Sequence, residues 1–190
     1  MPLTSVCVYC GSRKGADPRY AEEATALGRA LAGRGWRLVY GAGDVGLMGA
    51  VALAAKEAGG LTLGVIPQHL VAREALSGPA ANHIVTENMH ERKKVMFMNS
   101  DAVVVLPGGA GSLDEFFEVL TWAQLGLHAK PIFLLDVADY WRPLLALIDH
   151  VIDQGFADPS LRGFVSTAES TPALVAGLSA MLEGRSAAQE

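Results

Sequence analysis

Residues 102–106 read Ala-Val-Val-Val-Leu, and Pro107-Gly108-Gly109-Ala110-Gly111-Ser112 follows at once. Successive side chains of a strand point to opposite faces of its sheet, so a run that is apolar at every position belongs to a strand covered on both sides. Sheets covered on both sides are parallel, and their crossovers are helices. This stretch therefore predicts an α/β fold. Similar β-branched runs at 4–9, 37–40, 61–66, 131–135 and 164–167 repeat the pattern, each followed by a turn and a stretch with helical spacing. Helices are predicted over 18–32, 46–58, 89–100, 113–125, 140–154 and 172–182. The architecture expected is a doubly wound parallel sheet flanked by helices on both faces. With 190 residues, 51% of them hydrophobic and 18% charged, the chain has apolar surface for one core. We read 1–183 as a single domain and 184–190, which lacks periodicity, as a fraying tail. Residues 67–88 break the alternation with Pro, Gly, His and Asn and read as an irregular excursion bordering a site.

Charge and cysteine usage exclude several function classes. Fifteen Lys and Arg against twenty Asp and Glu leave a net charge of −5, so the fold as a whole does not attract a nucleic acid. Any anion must be held locally. Pro67, Gln68, His69 and Arg73 interrupt the longest apolar stretch below the roughly 18 residues that span a bilayer, so no membrane partner is expected. Neither end reads as a removable targeting peptide, and two cysteines are too few to staple the domain, so a cytoplasmic location is expected. Cys7 and Cys10 form a literal CxxC, but residues three apart on a strand point to opposite faces and do not make a redox pair. His69, His83, His90, His128 and His150 show no paired ligand spacing, and no metal is expected.

In an open parallel sheet, ligands bind at the carboxyl ends of the strands where the strand order reverses. A doubly wound order makes the first strand a neighbour of the 102–106 strand. That brings Cys10-Gly11-Ser12-Arg13-Lys14-Gly15 beside Pro107-Gly108-Gly109-Ala110-Gly111-Ser112. A helix starts after the second loop, and its unpaired amides and positive dipole end favour a phosphate. Gly11, Ser12, Gly41, Gly43, Gly46 and Gly108 are the phosphate-loop candidates. Gly41-Ala42-Gly43-Asp44-Val45-Gly46 also matches GxGxxG, but it follows the second strand, and Ile66, Pro67 and Gln68 stand where an acid would hold a dinucleotide ribose. Close helix packing alone also accounts for those glycines.

Two acidic and basic groups have double readings. Ser112-Leu113-Asp114-Glu115 is a capping box that could simply start a helix, yet it also places a carboxylate at the mouth of the crevice. Met89-His90-Glu91-Arg92-Lys93-Lys94 would ordinarily be a solvated helix face. Arg92 and Lys93 reach the crevice only if this helix begins over the carboxyl edge or a second subunit supplies it. Trp122, with Phe116, Phe117, Leu120 and Leu125, makes the 113–125 helix apolar on nearly every side, as a helix buried against a partner subunit would be.

Taken together, Tyr40-Gly41-Ala42-Gly43 with Gly46-Leu47-Met48-Gly49, Met89-His90-Glu91-Arg92-Lys93, and Pro107-Gly108-Gly109-Ala110-Gly111-Ser112-Leu113-Asp114-Glu115 followed by Thr121-Trp122-Ala123-Gln124-Leu125-Gly126 resemble the LOG ("lonely guy") family. Val8-Tyr9-Cys10-Gly11-Ser12 fits as well, so the resemblance runs from the first strand to about Ile152. It implies a Rossmann-like nucleotide-binding homodimer, without a cofactor, that cleaves the N-glycosidic bond of N6-substituted adenosine 5′-monophosphates. The products are the free base and ribose 5-phosphate. The family's catalytic arginine and glutamate fall on Arg92 and Glu115. Its substrate contacts fall on Glu74, Arg92, Lys93, Gly109, Ala110, Gly111, Ser112, Leu113, Asp114, Glu115 and Thr121. The sequence departs from the family pattern at Ala42, in place of glycine, at Ser112, in place of threonine, and at Asp114, in place of the more frequent glutamate. Ser112 keeps the hydroxyl, whereas a left-handed backbone at Ala42 would oppose the change.

The family was long described as lysine decarboxylases. Such a reaction needs pyridoxal phosphate on a Schiff-base lysine, and Lys14, Lys56, Lys93, Lys94 and Lys130 offer no such setting. The rival reading is a nucleotide or cofactor carrier of the same fold, which would need the phosphate loop but neither Arg92 nor Glu115.

Overall fold

The computed structural model describes residues 3–71 and 82–187. Among the described residues seven strands, β1 (Ser5–Tyr9), β2 (Arg37–Tyr40), β3 (Thr62–Pro67), β4 (His83–Thr86), β5 (Ala102–Val105), β6 (Ile132–Leu135) and β7 (Val165–Ala168), form one sheet. Every pair is parallel, in the order β4-β3-β2-β1-β5-β6-β7. The strand order reverses between β1 and β5, which pair from Val6–Ala102 to Tyr9–Val105, as the doubly wound reading requires. The helices are α1 (Pro18–Gly33), α2 (Gly46–Glu57), the single turn α3 (Gln68–Val71), α4 (Met89–Met98), α5 (Ala110–Gln124), α6 (Arg142–Asp153) and α7 (Thr171–Ala187).

β5 is buried at every position, the environment its unbroken apolar run demands. In β1 the period of two separates the side chains. Val6 and Val8 enter the core that also holds Leu27 and Leu31 of α1, Val51 of α2 and Leu178 of α7, while Cys7 and Tyr9 enter the one holding Phe116 and Val119 of α5 and Ile148 of α6. Cys10 lies with Val6 and Val8, so the two thiols occupy opposite faces; burial raises the pKa of both, and they stay as free, inert cysteines. α1 opens with Pro18 behind an Asp17 cap, whose carboxylate accepts the Arg19 amide at 2.9 Å. Glu23 of α1 then accepts the Thr171 amide and hydroxyl at 2.8 and 2.6 Å, capping α7 from across the fold.

Three boundaries differ from those read in the sequence. The 67–88 stretch is not wholly irregular. His83–Thr86 forms edge strand β4, paired with β3 from Gly64–His83 to Pro67–Thr86. An edge strand is covered by one neighbour only, so His-Ile-Val-Thr needs no continuous apolar run, and Val85 is half exposed. α5 begins at Ala110, three residues before the predicted start at 113, because its first turn winds directly out of the glycine loop. α7 continues to Ala187, past the point where periodicity fades at 184.

α1 and α2 approach closely at Gly28, where an added Cβ would meet the Val51 carbonyl and lie 2.9 Å from the Ala55 amide nitrogen. Backbone cannot yield as a side chain can, so Gly28→Val must push the helices apart. The variant is expected to lose about 1–3 kcal/mol, the usual cost of overpacking, read as a lower urea midpoint at unchanged slope. An unchanged midpoint would contradict the packing described.

Candidate active site

The loops after β1 and β5 touch at two glycines. The Gly11 amide donates to the Pro107 carbonyl at 3.0 Å, and a Cβ on Gly11 would lie 3.3 Å from the Gly108 Cα. Above this contact opens a cavity of about 540 Å³, within the range of small-molecule sites. Cys10–Arg13 and Gly108–Ser112 form its floor, and Arg92, Asp114, Glu115 and Tyr140 stand around it, with Met48, Leu70 and Met89 supplying apolar wall.

Helix termini decide which loop can hold an anion. Gly109 is the N-cap of α5 and contributes no side-chain cap. Among the described residues, the amides of Gly109, Ala110, Gly111 and Ser112 find no protein acceptor, so they and the helix dipole present positive potential to the cavity. At α2 the situation is reversed. The Leu47 and Met48 amides donate to the Gly11 carbonyl at 3.1 and 3.4 Å, so the N-terminus of the helix that follows GxGxxG is already occupied. Gly46, with φ +64°, packs on the Ser12–Arg13 backbone, and Gly43 and Gly46 border a separate cavity of about 510 Å³. Gly43 and Gly46 thus lie where α2 crosses the β1 loop, outside the lining of the cavity of about 540 Å³.

Glu115 is not part of a capping box. With Gly109 as N-cap, Ser112 sits in the first turn and Glu115 in the second, too far along to reach back to the cap. Its side chain is buried against the cavity, 9% exposed, and no described residue makes a hydrogen bond or ion pair with it. Burial pushes the carboxyl up to about 7, with the Arg92 charge opposing that shift and Asp114 adding to it.

Arg92 reaches the cavity because α4 follows a parallel strand and so begins at the carboxyl edge, the geometry that the missing β4 had concealed. Asn88 caps α4 by accepting the Glu91 amide at 2.9 Å, and Glu91 reaches back to the Glu87 amide at 2.7 Å. Arg92 is 6% exposed and fixed by two carbonyls, Nε donating to Val65 at 3.1 Å and Nη2 to Gly41 at 2.7 Å. A side chain at Gly41 would occupy the place of the guanidinium.

The remaining candidates divide. Lys93 is buried but turned from the cavity, its Nζ held by Asp114 at 2.9 Å and Glu118 at 3.2 Å. Burial works against its charge, yet the two carboxylates prevail and raise its pKa. Leu113 packs into the core beneath α5 and Thr121 is exposed two turns further on; neither lines the cavity. Glu74 lies outside the described residues. Arg13 and Met48, which stand in the quoted motifs without being named as site residues, also line the cavity, and so does Tyr140, which stands in no motif. For Arg92 the Asn88-x-x-Glu91 spacing offered a signal, since it marks where α4 starts; for Tyr140 there was none.

A family model described as "Possible lysine decarboxylase" matches residues 48–178. Over 175 residues the chain is 45% identical to Cytokinin riboside 5'-monophosphate phosphoribohydrolase LOG5 of Arabidopsis thaliana, covering 92% of this chain and 77% of that one. This chain belongs to the LOG family. It is also 44% identical to the Cytokinin riboside 5'-monophosphate phosphoribohydrolase of Rhodococcoides fascians, covering 92% of this chain and 88% of its relative. Among solved structures, the molybdenum cofactor binding protein of Rippkaea orientalis shares the fold with a TM-score of 0.73 at 24% identity, over 96% of this chain and 99% of that one. Against the LOG pattern, Ala42 does take a left-handed backbone, φ 63°, with its Cβ 3.0 Å from the place a Cβ on Gly64 would occupy.

The raised Glu115 pKa has a stability consequence with a definite sign. Below the ordinary value near 4.5 the group is protonated in folded and unfolded chains alike; between there and 7 only the folded chain keeps the proton, so stability falls as pH rises through that window. Glu115→Gln removes this dependence. From pH 4.5 to 8 the wild type is expected to lose on the order of 3 kcal/mol relative to the variant, read by urea unfolding at each pH. Parallel stability curves would show that Glu115 is not desolvated.

Proposed function

We propose that this LOG-family chain hydrolyses the N-glycosidic bond of N6-substituted adenosine 5′-monophosphates, the cytokinin riboside 5′-monophosphates, and of AMP, releasing free base and ribose 5-phosphate. The observation that carries the reading is a buried carboxylate, Glu115, with no partner among the described residues, in the same cavity as a row of unpaired helix amides. An unpaired buried acid is costly unless a ligand or a reaction uses it. The activity printed for the relatives from Arabidopsis thaliana and Rhodococcoides fascians supplies that reaction.

The 5′-phosphate binds at Gly109–Ser112, where remote binding energy positions the ribose and favours nucleotide over nucleoside. Breaking the bond between C1′ and the base nitrogen builds positive charge on the sugar ring, which the Glu115 carboxylate stabilises. The bond from C1′ to the base nitrogen breaks as water adds its oxygen to C1′; Glu115 accepts the water proton and returns it to the released base, which regenerates the carboxylate. A group titrating near 7 can move a proton either way at neutral pH. Arg92, locked by the Val65 and Gly41 carbonyls, holds a fixed positive charge opposite Glu115 and anchors the substrate.

The reading includes a cytoplasmic homodimer. No helix among the described residues is long and apolar enough to cross a membrane, and both thiols are free. Phe117, Thr121 and Leu125 follow one another on one side of α5, and Met98 and Leu127 lie exposed beside its end, where Phe97 packs on Trp122 and His128. Such an apolar stripe fits a second copy, which would also place Thr121 at an interface.

Glu115→Gln is expected to bind AMP with little change while base release from N6-isopentenyl AMP falls roughly 10²–10⁴-fold, followed by assay of free base and ribose 5-phosphate. Near-normal turnover would refute the assignment, and a wild type that binds nucleotide without releasing base would be a carrier. For the dimer, Leu125→Glu is expected to halve the mass measured by light scattering; an unchanged mass would move the interface elsewhere.

A further inference from the structure

The turn after β6 brings to the cavity a residue to which the proposed reaction gives no part. Tyr140 donates its hydroxyl to the Gly108 carbonyl at 2.6 Å. The chain has no cis peptide among the described residues, so the Gly108–Gly109 bond is trans and planar, and the Gly109 N–H points opposite to the Gly108 carbonyl. Turning that carbonyl toward Tyr140 therefore turns the Gly109 amide away from it. This amide is the first of the four without a protein acceptor.

We propose that Tyr140 is a positioning residue for the substrate 5′-phosphate: by holding the Gly108 carbonyl it fixes the peptide that aims the Gly109 N–H at the ester. The inference rests on the phosphate-loop reading given above and extends it to a residue outside the glycine motif. A glycine pair is the part of this loop with the least intrinsic preference for one peptide orientation, so an external hydrogen bond has the most to fix there. The Gly11 amide donates to the carbonyl of the preceding peptide, Pro107, so two successive peptides of the loop are each tied by a hydrogen bond.

The surroundings of Tyr140 suit a rigid prop. Its ring meets Tyr20 edge-on at 5.5 Å between centroids and Trp141 at 4.8 Å. Asp136 accepts the Trp141 amide at 2.7 Å, closing the turn beneath it. Within that turn Ala138 and Asp139 both hold left-handed backbone, φ 56° and 57°, a conformation L residues adopt at a cost. The fold accepts this strain in the turn that delivers one hydroxyl to the glycine loop.

Tyr140→Phe keeps the ring and its contacts and removes only the hydroxyl. With N6-isopentenyl AMP, KM is expected to rise roughly three- to tenfold, the effect of one neutral hydrogen bond, with kcat within about twofold. The dissociation constant of ribose 5-phosphate, measured by calorimetry, should rise by the same factor, that of adenosine should not move, and the thermal midpoint should stay that of the wild type. Unchanged KM and ribose 5-phosphate affinity would overturn the proposal, as would a fall in kcat alone, which would give the hydroxyl a part in the chemistry. Loss of folding in so conservative a variant would overturn it too, making the hydroxyl a stability contact. If the wild type itself binds ribose 5-phosphate no better than ribose, it is the phosphate-loop reading that fails.

Discussion

A single hydrogen bond, from the Gly11 amide to the Pro107 carbonyl, ties the loop after β1 to the loop after β5 across the reversal of strand order. Its partner contact runs through the same residue, since the Gly11 carbonyl receives the first amides of α2. The β1 loop thus satisfies one helix N-terminus and leaves the next, that of α5, open. Two glycine-rich loops of similar composition acquire opposite tasks for this reason. The local potential at α5 comes from four oriented amides and the buried Arg92, which is how a chain of net charge −5 can present positive potential at this edge.

The charges around the cavity are arranged so that its two central members do not cancel. Arg92 is held by neutral carbonyls, and Glu115 has no partner among the described residues; the two share the cavity without an ion pair. Direct pairing would have pulled the glutamate well below its ordinary range and kept it ionised throughout the neutral range. Lys93 does the complementary work. By binding Asp114 and Glu118 it offsets two negative charges that would otherwise raise Glu115 further. Lys93 thus sets part of the electrostatic background of the cavity, and Asp114, which lines it, is tied to Lys93.

Much of this arrangement was legible because it follows from short-range rules. Unbroken apolar runs identified the buried strands, and strand order brought Gly11 beside Gly108. What escaped was decided by partners far along the chain. β4 is an edge strand of four residues whose composition has no need to be apolar, so nothing in His83–Thr86 stands out from the loop around it. Missing that strand left the direction of α4 undetermined and made Arg92 look like one charge in a solvated run. The apparent capping box at Ser112 failed for a different reason. A glycine at the N-cap starts α5 three residues early, and spacing alone does not reveal whether glycine or serine takes that place. Tyr140 had no local signature at all, because its function depends on a carbonyl in a loop 32 residues away in sequence.

Strain follows the same geography. Among the described residues, the non-glycine positions with left-handed backbone are Ala42, Ala138 and Asp139, in the turns that follow β2 and β6 on the carboxyl edge. Each costs about 1–2 kcal/mol relative to ordinary backbone, and glycine would remove most of it. At Ala42 the methyl group is buried, 4% exposed, and packs toward Gly64 next to the carbonyl of Gly41 that anchors Arg92. Glycine there would relieve the backbone but free the peptide that holds the arginine. Ala138 and Asp139 stand to Tyr140 as Ala42 stands to the arginine. The packed sheet and its helices are what hold the three left-handed conformations on the edge around the cavity in place.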